Sequence, residues 1–166
     1  IAAQEVRAVL TARKLVQSVT GHDLSHQAFP FGACQQVDIG PIWTLASRIS
    51  YVGELGWEIY APMEQGPRLW DILWEAGQPF NAAPVGIGVY GTTARLEKSY
   101  RLYGAELELE YNLVEAGLAR PQVKPQDFVG KEAYLKQRAG QPAATLCTLT
   151  VDDNTSKSGF KRYMQG

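Results

Sequence analysis

Two side chains stand out for what they could bind: Tyr51 and Glu58, on adjoining arms of residues 43–61. Trp43, Leu45, Ile49 and Tyr51 alternate with Thr44, Ala46, Arg48 and Ser50, with Ser47 the one lapse, and Trp57-Glu58-Ile59-Tyr60-Ala61 resumes the alternation after Val52-Gly53-Glu54-Leu55-Gly56. A period of two marks a half-buried strand, and glycine supplies the positive φ that a turn needs. The segment therefore predicts a β-hairpin in which Tyr51 ends one strand across a five-residue turn. Glu58 should face away from Trp57 and Ile59. A carboxylate so placed can accept two parallel hydrogen bonds from the amide-like edge of a heterocycle, while the tyrosine ring packs against its flat face. The bland alternative is a solvent-facing glutamate beside a rim tyrosine. Arg95, near Glu97 and Lys98, is by default a solvated charge, with contact to an anion or ligand as its alternative.

Other patterns point less sharply. His22 and His26 have the spacing of a helical metal pair, but no zincin glutamate accompanies them and Asp23-Leu24-Ser25 has turn character. Solvated or hydrogen-bonded histidines are expected, and no metal. Gly86-x-Gly88-x-x-Gly91 imitates half of a dinucleotide fingerprint without a strand before it, so close helix packing is the expected use of these glycines. There is no Gly-x-Ser-x-Gly elbow, no phosphate-binding loop and no histidine near either cysteine, hence no visible covalent nucleophile. Cys34 and Cys147 fit neither a disulfide framework nor a metal spacing and are expected to be reduced, buried thiols in a cytoplasmic compartment.

The elements that must position these residues are short. A surface helix is expected over 2–17, from Val6, Val9, Leu10 and Val16 among polar residues, then a strand around 33–39 and the hairpin. Pro67, Trp70, Leu73 and Trp74 predict a helix over 64–76 capped by Gly77, and Ile87, Tyr90, Ala94 and Glu97 share one side of a helix over 84–98. After turns over 103–131 a short helix should reach Arg138, and 139–142 should be a linker before a strand over 144–151. Without a βαβ rhythm the fold class is α+β.

With 166 residues, 45% of them hydrophobic and 20% charged, the chain can bury a core and is not composed like a disordered one. Sixteen basic residues against seventeen acidic ones give a net charge of -1, so no overall field favours nucleic acid or an anionic membrane. No apolar run approaches the roughly 18 residues of a membrane span. The expected partners include neither nucleic acid nor membrane. The first residue is Ile1, and the expectation is a piece of a longer protein cut at both ends.

Ser47-Arg48-Ile49-Ser50-Tyr51-Val52-Gly53-Glu54-Leu55-Gly56-Trp57-Glu58-Ile59 is similar to the Arg-x-Ser-Tyr-x-Gly-Glu-x-Gly-Trp-Glu-Ile signature of the glycine-cleavage T-protein (aminomethyltransferase) family. Further blocks follow in that family's order: Asp23-Leu24-Ser25 with Phe29-Pro30-Phe31, Pro84-Val85-Gly86, Arg95-Leu96-Glu97-Lys98-Ser99-Tyr100-Arg101, Val114-Glu115-Ala116-Gly117-Leu118 and Asp127-Phe128-Val129-Gly130-Lys131-Glu132-Ala133. The Leu-Glu-Lys-x-Tyr-Arg style and Gly159-x-Lys161-Arg162-Tyr163-Met164 look most like the T-protein-like part of dimethylglycine and sarcosine dehydrogenases.

The resemblance implies an incomplete folate-binding domain with ferredoxin-like elements over 1–139, and over 140–166 a linker with the first strand of a C-terminal β-barrel. It implies tetrahydrofolate as cofactor, one-carbon (aminomethyl or methylene) transfer as function, and a flavin domain as a possible neighbour in the parent protein. Tyr51 and Glu58 would line the folate pocket, with Glu58 accepting from the pterin's N–H edge; Arg95 falls at a folate-contacting arginine, and Tyr103 near the same pocket. The family's aspartate three positions before that arginine is Thr92 here. Its catalytic aspartate lies in the N-terminal half, so binding without turnover is expected of this chain alone. The alternatives are a noncatalytic folate-binding or interaction module, and a homo-oligomer formed through apolar surface that missing segments would otherwise cover.

Overall fold

The structure, a computed structural model, describes residues 11–162, and its internal contacts gather into two compact units that divide between Gly86 and Ile87. In the first unit residues 11–17 form helix α1, and 2–10 of the expected helix lie outside the described residues. Three strands follow, β1 (Cys34–Ile39), β2 (Ile42–Ser47) and β3 (Glu58–Tyr60), in an antiparallel sheet of order β1-β2-β3. The strand expected around 33–39 is β1.

Register decides what this sheet buries. Val37 pairs with Thr44, Ile39 with Ile42, and Ala46 with both Gln35 and Ile59. Val37, Ile39 and Ala46 join Leu24 and Phe29 in the core cluster, with Trp57, Ile59, Leu69, Ile72 and Leu73 packed against it. The alternation along β2 is therefore real, with Ile42, Thr44 and Ala46 inside and Trp43 and Leu45 outside: Trp43 is 51% exposed and Thr44 0%. Small side chains on the central strand let Leu24 and Phe29 close over the sheet. The Thr44 hydroxyl donates to the Val37 carbonyl at 2.5 Å, which removes the penalty of burying it.

The connection from β2 to β3 is longer than the expected five-residue turn, because pairing stops where Ser47 meets Glu58. Beyond Ser47 the backbone turns to other partners: Arg48 N–H donates to Ala33 O, and Gly32 N–H to Arg48 O. Arg48 itself is buried, donating to Phe29 O at 2.6 Å. Tyr51 consequently lies in the loop, not at a strand end.

Helix α2 (Gly66–Gly77) starts with Pro67 in its first turn, where no N–H partner is lost. Its core side is Leu69, Ile72 and Leu73, while Trp70 and Trp74 stack on one another with ring centroids 6.2 Å apart. Gly77 is still helical, at φ -76, so it is no left-handed cap. A Cβ there would lie 2.6 Å from Ala82 Cβ and 3.2 Å from Leu15 Cδ1, so glycine serves close approach.

In the second unit the expected helix over 84–98 becomes a π-helix, Val89–Ala94, running into a single α-turn, α3 (Arg95–Glu97). The Thr92 hydroxyl bonds back to Gly88 O, a contact that competes with regular α-helical bonding. Close packing does not explain the glycines, since a Cβ on Gly86, Gly88 or Gly91 would meet nothing within 4 Å. Ser99, at φ 57, ends the turn, and helix α4 (Lys131–Ala139) matches the expected last helix. Residues 144–151 make no strand: Leu146 N–H goes to Glu115 O and Thr148 Oγ1 lies 2.5 Å from Ser99 Oγ. A β-prone run without a neighbouring strand has no ladder to join. The described fold is a small α+β structure around a three-stranded antiparallel sheet. No helix among the described residues is long and apolar enough to cross a membrane.

Candidate functional site

Glu58 leaves β3 on the side opposite Trp57 and Ile59, as the alternation requires, because those two are drawn onto the core. Cross-strand register sets Ser47 beside it and Cys34 beyond Ser47, and Tyr60 follows on the same face. The Tyr60 hydroxyl donates to Glu58 Oε2 at 2.6 Å. That hydrogen bond, then the Glu58 charge, a little burial and Cys34 hold the Tyr60 hydroxyl above its ordinary pKa of 10.0. Glu58 is half-buried, an oriented carboxylate on an outer sheet face whose neighbours Trp43, Leu45 and Tyr60 are exposed aromatic and aliphatic surface. Such a group accepts N–H donors beside a surface on which a flat ring can lie.

Tyr51 belongs to the same unit and is half-buried in the loop before β3. Two cavities of this unit lie elsewhere. One, of about 430 Å³, is an apolar cleft including Trp57, Trp70 and Trp74, and the other, about 630 Å³, includes His22 and Asp38. Neither is lined by Tyr51 or Glu58, so neither is the cleft expected from the sequence.

Arg95 and Tyr103 fall in the second unit. Arg95 is no solvated charge: it is 1% exposed, with Nε donating to Gly91 O at 3.1 Å and Nη1 donating to Tyr100 O at 3.1 Å and Glu106 Oε1 at 2.8 Å. Its Nη2 is buried without a hydrogen-bond partner, and the residue lines a cavity of about 670 Å³. Burial raises the Glu106 carboxyl pKa, but the Arg95 hydrogen bond, the N–H groups of Leu102 and Glu106 and the Arg95 charge outweigh it and leave it below the ordinary carboxylate value. Tyr103 is exposed and lines a different cavity, of about 890 Å³.

The remaining candidates separate. His22 Nε2 lies 3.7 Å from Asp38 Oδ2, whereas His26 Nδ1 lies 2.9 Å from Arg48 Nη1, so the two rings serve different partners. Burial first, and the Arg13 charge second, lower the Arg48 pKa. Both cysteines are exposed, contrary to expectation. Cys34 sits on the outer face of β1, where it accepts the Ser47 hydroxyl's hydrogen bond at 3.3 Å, and Cys147 lies in the strandless run after α4. Two partners of the candidate residues, one in each unit, were missed in the sequence. Tyr60 was legible from its place two positions beyond Glu58; Glu106, eleven positions from Arg95 across a turn, carried no local signal.

Known proteins match this sequence over most of its length. The family described as GCVT N-terminal domain matches residues 11–123. The chain is 39% identical over 156 residues to dimethylglycine dehydrogenase, mitochondrial, of Mus musculus, covering 89% of this chain and 17% of that protein. It is 40% identical over 150 residues to the same enzyme of Homo sapiens, covering 86% and 17%. To an aminomethyltransferase of Anoxybacillus flavithermus it is 36% identical over 156 residues, covering 92% and 42%. It thus spans less than half the length of each of these relatives. The matched span holds all three strands, Glu58 and Arg95, and on it the chain belongs to the GCVT N-terminal domain family, the glycine-cleavage T-protein group.

Proposed function

We propose that this chain is a tetrahydrofolate-binding part of a one-carbon transferase, of the aminomethyltransferase or dimethylglycine dehydrogenase kind. The observation that carries the proposal is Glu58: a half-buried carboxylate turned away from the core and oriented by a 2.6 Å hydrogen bond. A reduced pterin offers an amide and amine N–H edge, the donor pattern that one carboxylate accepts in two parallel bonds. Tyr51, in the loop entering β3, is assigned to the same ligand. In the second unit, taken by itself, the Nη2 group of Arg95 has no hydrogen-bond partner and suits an anionic oxygen, and Tyr103 offers an exposed ring.

Bound tetrahydrofolate supplies the nucleophilic nitrogens that accept the one-carbon unit. This chain's residues bind and orient it, and no group assigned here exchanges protons at those nitrogens. Weak binding without turnover is therefore the expectation for the isolated polypeptide. The donor is an amine-borne methylene unit, from glycine or an N-methylated glycine, and a flavin domain in the parent protein would fit the dehydrogenase relatives. Reduced Cys34 and Cys147 suit a reducing, cytoplasm-like compartment. Calorimetric titration with tetrahydrofolate tests the proposal: Glu58→Ala should weaken binding at least tenfold, and equal affinities would remove Glu58 from the site.

A second reading rests on the exposed outer face. Trp43, Leu45 and Tyr60 form apolar surface of the kind interaction modules use, and a noncatalytic module could self-associate through it. Light scattering over a concentration series distinguishes this, since a strictly monomeric chain excludes self-association.

A further inference from the structure

Tyr60 had no part in the chemistry read from the sequence, yet its hydroxyl holds the one carboxylate on which the folate proposal depends. The O–H···O distance of 2.6 Å is that of a charge-assisted bond, about twice as strong as a neutral one. The terminal torsion of a glutamate is broad and roughly two-fold, so an untethered carboxylate samples many planes. A hydrogen bond to one named oxygen narrows that choice. Residues 58 and 60 share a strand face, so the tether lies within β3 itself.

Accepting two parallel N–H bonds demands that the carboxylate plane match the ligand plane. We infer that Tyr60 is a positioning residue that sets the plane in which Glu58 accepts the N–H edge of a reduced pterin. This rests on the folate proposal above and sharpens it. Tyr60 acts through Glu58, so its effect should disappear when Glu58 can no longer be oriented.

The charge environment of the pair is simple on its own sheet. On this face β1 contributes the titratable Cys34 and Asp38, and β2 contributes only Trp43, Leu45 and Ser47. Only the neutral hydroxyl can donate. Since the Tyr60 pKa is raised above its ordinary 10.0, the tether is complete below about pH 10 and is lost as pH rises through the raised value, when phenolate would face carboxylate. Coupling between Tyr60→Phe and Glu58→Gln separates a tether from a packing role.

The test titrates tetrahydrofolate anaerobically into the full chain, as native protein, Tyr60→Phe, Glu58→Gln and the double variant, from about pH 7.5 to about pH 11. Circular dichroism confirms folding at each pH. Tyr60→Phe should bind roughly five- to tenfold more weakly at the lower pH, with the native advantage falling as the Tyr60 hydroxyl ionises. The double variant should bind within about twofold of Glu58→Gln. Tyr60→Phe equal to native while Glu58→Gln is weakened would overturn the positioning role and leave the folate proposal standing, as would a double variant bound well below Glu58→Gln. Glu58→Gln equal to native, or no binding by the native chain, would overturn both together.

Discussion

The two units are held together by different physics. The first has an apolar centre in which Leu24, Phe29, Val37, Ile39 and Ala46 touch, and a regular sheet makes that contact possible. In the second, Arg95 and Ala116 alone are buried among the described residues. Polar clamps replace a core there. Arg95 ties Gly91, Tyr100 and Glu106 together, Arg101 Nε reaches Ala116 O at 2.8 Å, and the Glu115 carboxylate accepts from the N–H groups of Asn112 and Ala143. An apolar core tolerates pH and punishes lost volume, whereas a clamped loop system tolerates lost volume and punishes lost charge.

Four experiments would break or sharpen that contrast, beginning with the greatest effect. Phe29→Ala should destabilise the first unit by about 3–5 kcal/mol, measured by denaturant unfolding, because Phe29 is fully buried. A cost below about 1 kcal/mol would mean the core is not where the structure puts it. Arg95→Met should cost the second unit about 3 kcal/mol by leaving Glu106 without its cation. Arg95→Met with Glu106→Leu should recover most of that loss. A silent single substitution would show that the clamp does not hold the loops.

Glycine substitution should then give opposite signs in the two units. Gly77→Ala brings a methyl group to within 2.6 Å of Ala82 Cβ and should cost about 1–3 kcal/mol in thermal unfolding. Gly88→Ala meets nothing within 4 Å and should gain at most about 1 kcal/mol. The smallest effect is expected from acid. Because the Glu106 carboxyl lies below its ordinary value of 4.5 in the folded chain, its contribution is present above about pH 4.5 and is lost as pH falls through the lowered value. Hydrogen exchange at stepped pH should show 95–107 loosening before 34–47, and the reverse order would contradict the contrast.

What the sequence revealed follows the same divide. Local periodicity located α2, the strands and the outward turn of Glu58, since Trp57 and Ile59 have no other place to go. It could not assign the inner face of β2. Thr44 is hidden and Trp43 shown because the core selects small residues there and Val37 satisfies the Thr44 hydroxyl, both facts of pairing. In the second unit little was legible. Arg95 is paired with Glu106 returning across a turn, the π-helix carries a side-chain bond from Thr92 to Gly88 O, and 144–151 has strand composition without a strand beside it. The family resemblance turned the heterocycle reading of Tyr51 and Glu58 into a folate expectation and added Tyr103 and a folate role for Arg95, whereas the structure shows Arg95 holding Gly91, Tyr100 and Glu106.

The central claim is that the outer face of the three-stranded sheet is where a reduced pterin is read. Backbone amide NMR of the chain titrated with tetrahydrofolate measures this directly. Shifts concentrated at Ser47, Tyr51 and Glu58–Tyr60 are predicted; shifts confined to the Trp70–Trp74 cleft or to 11–22, with β3 silent, would contradict it.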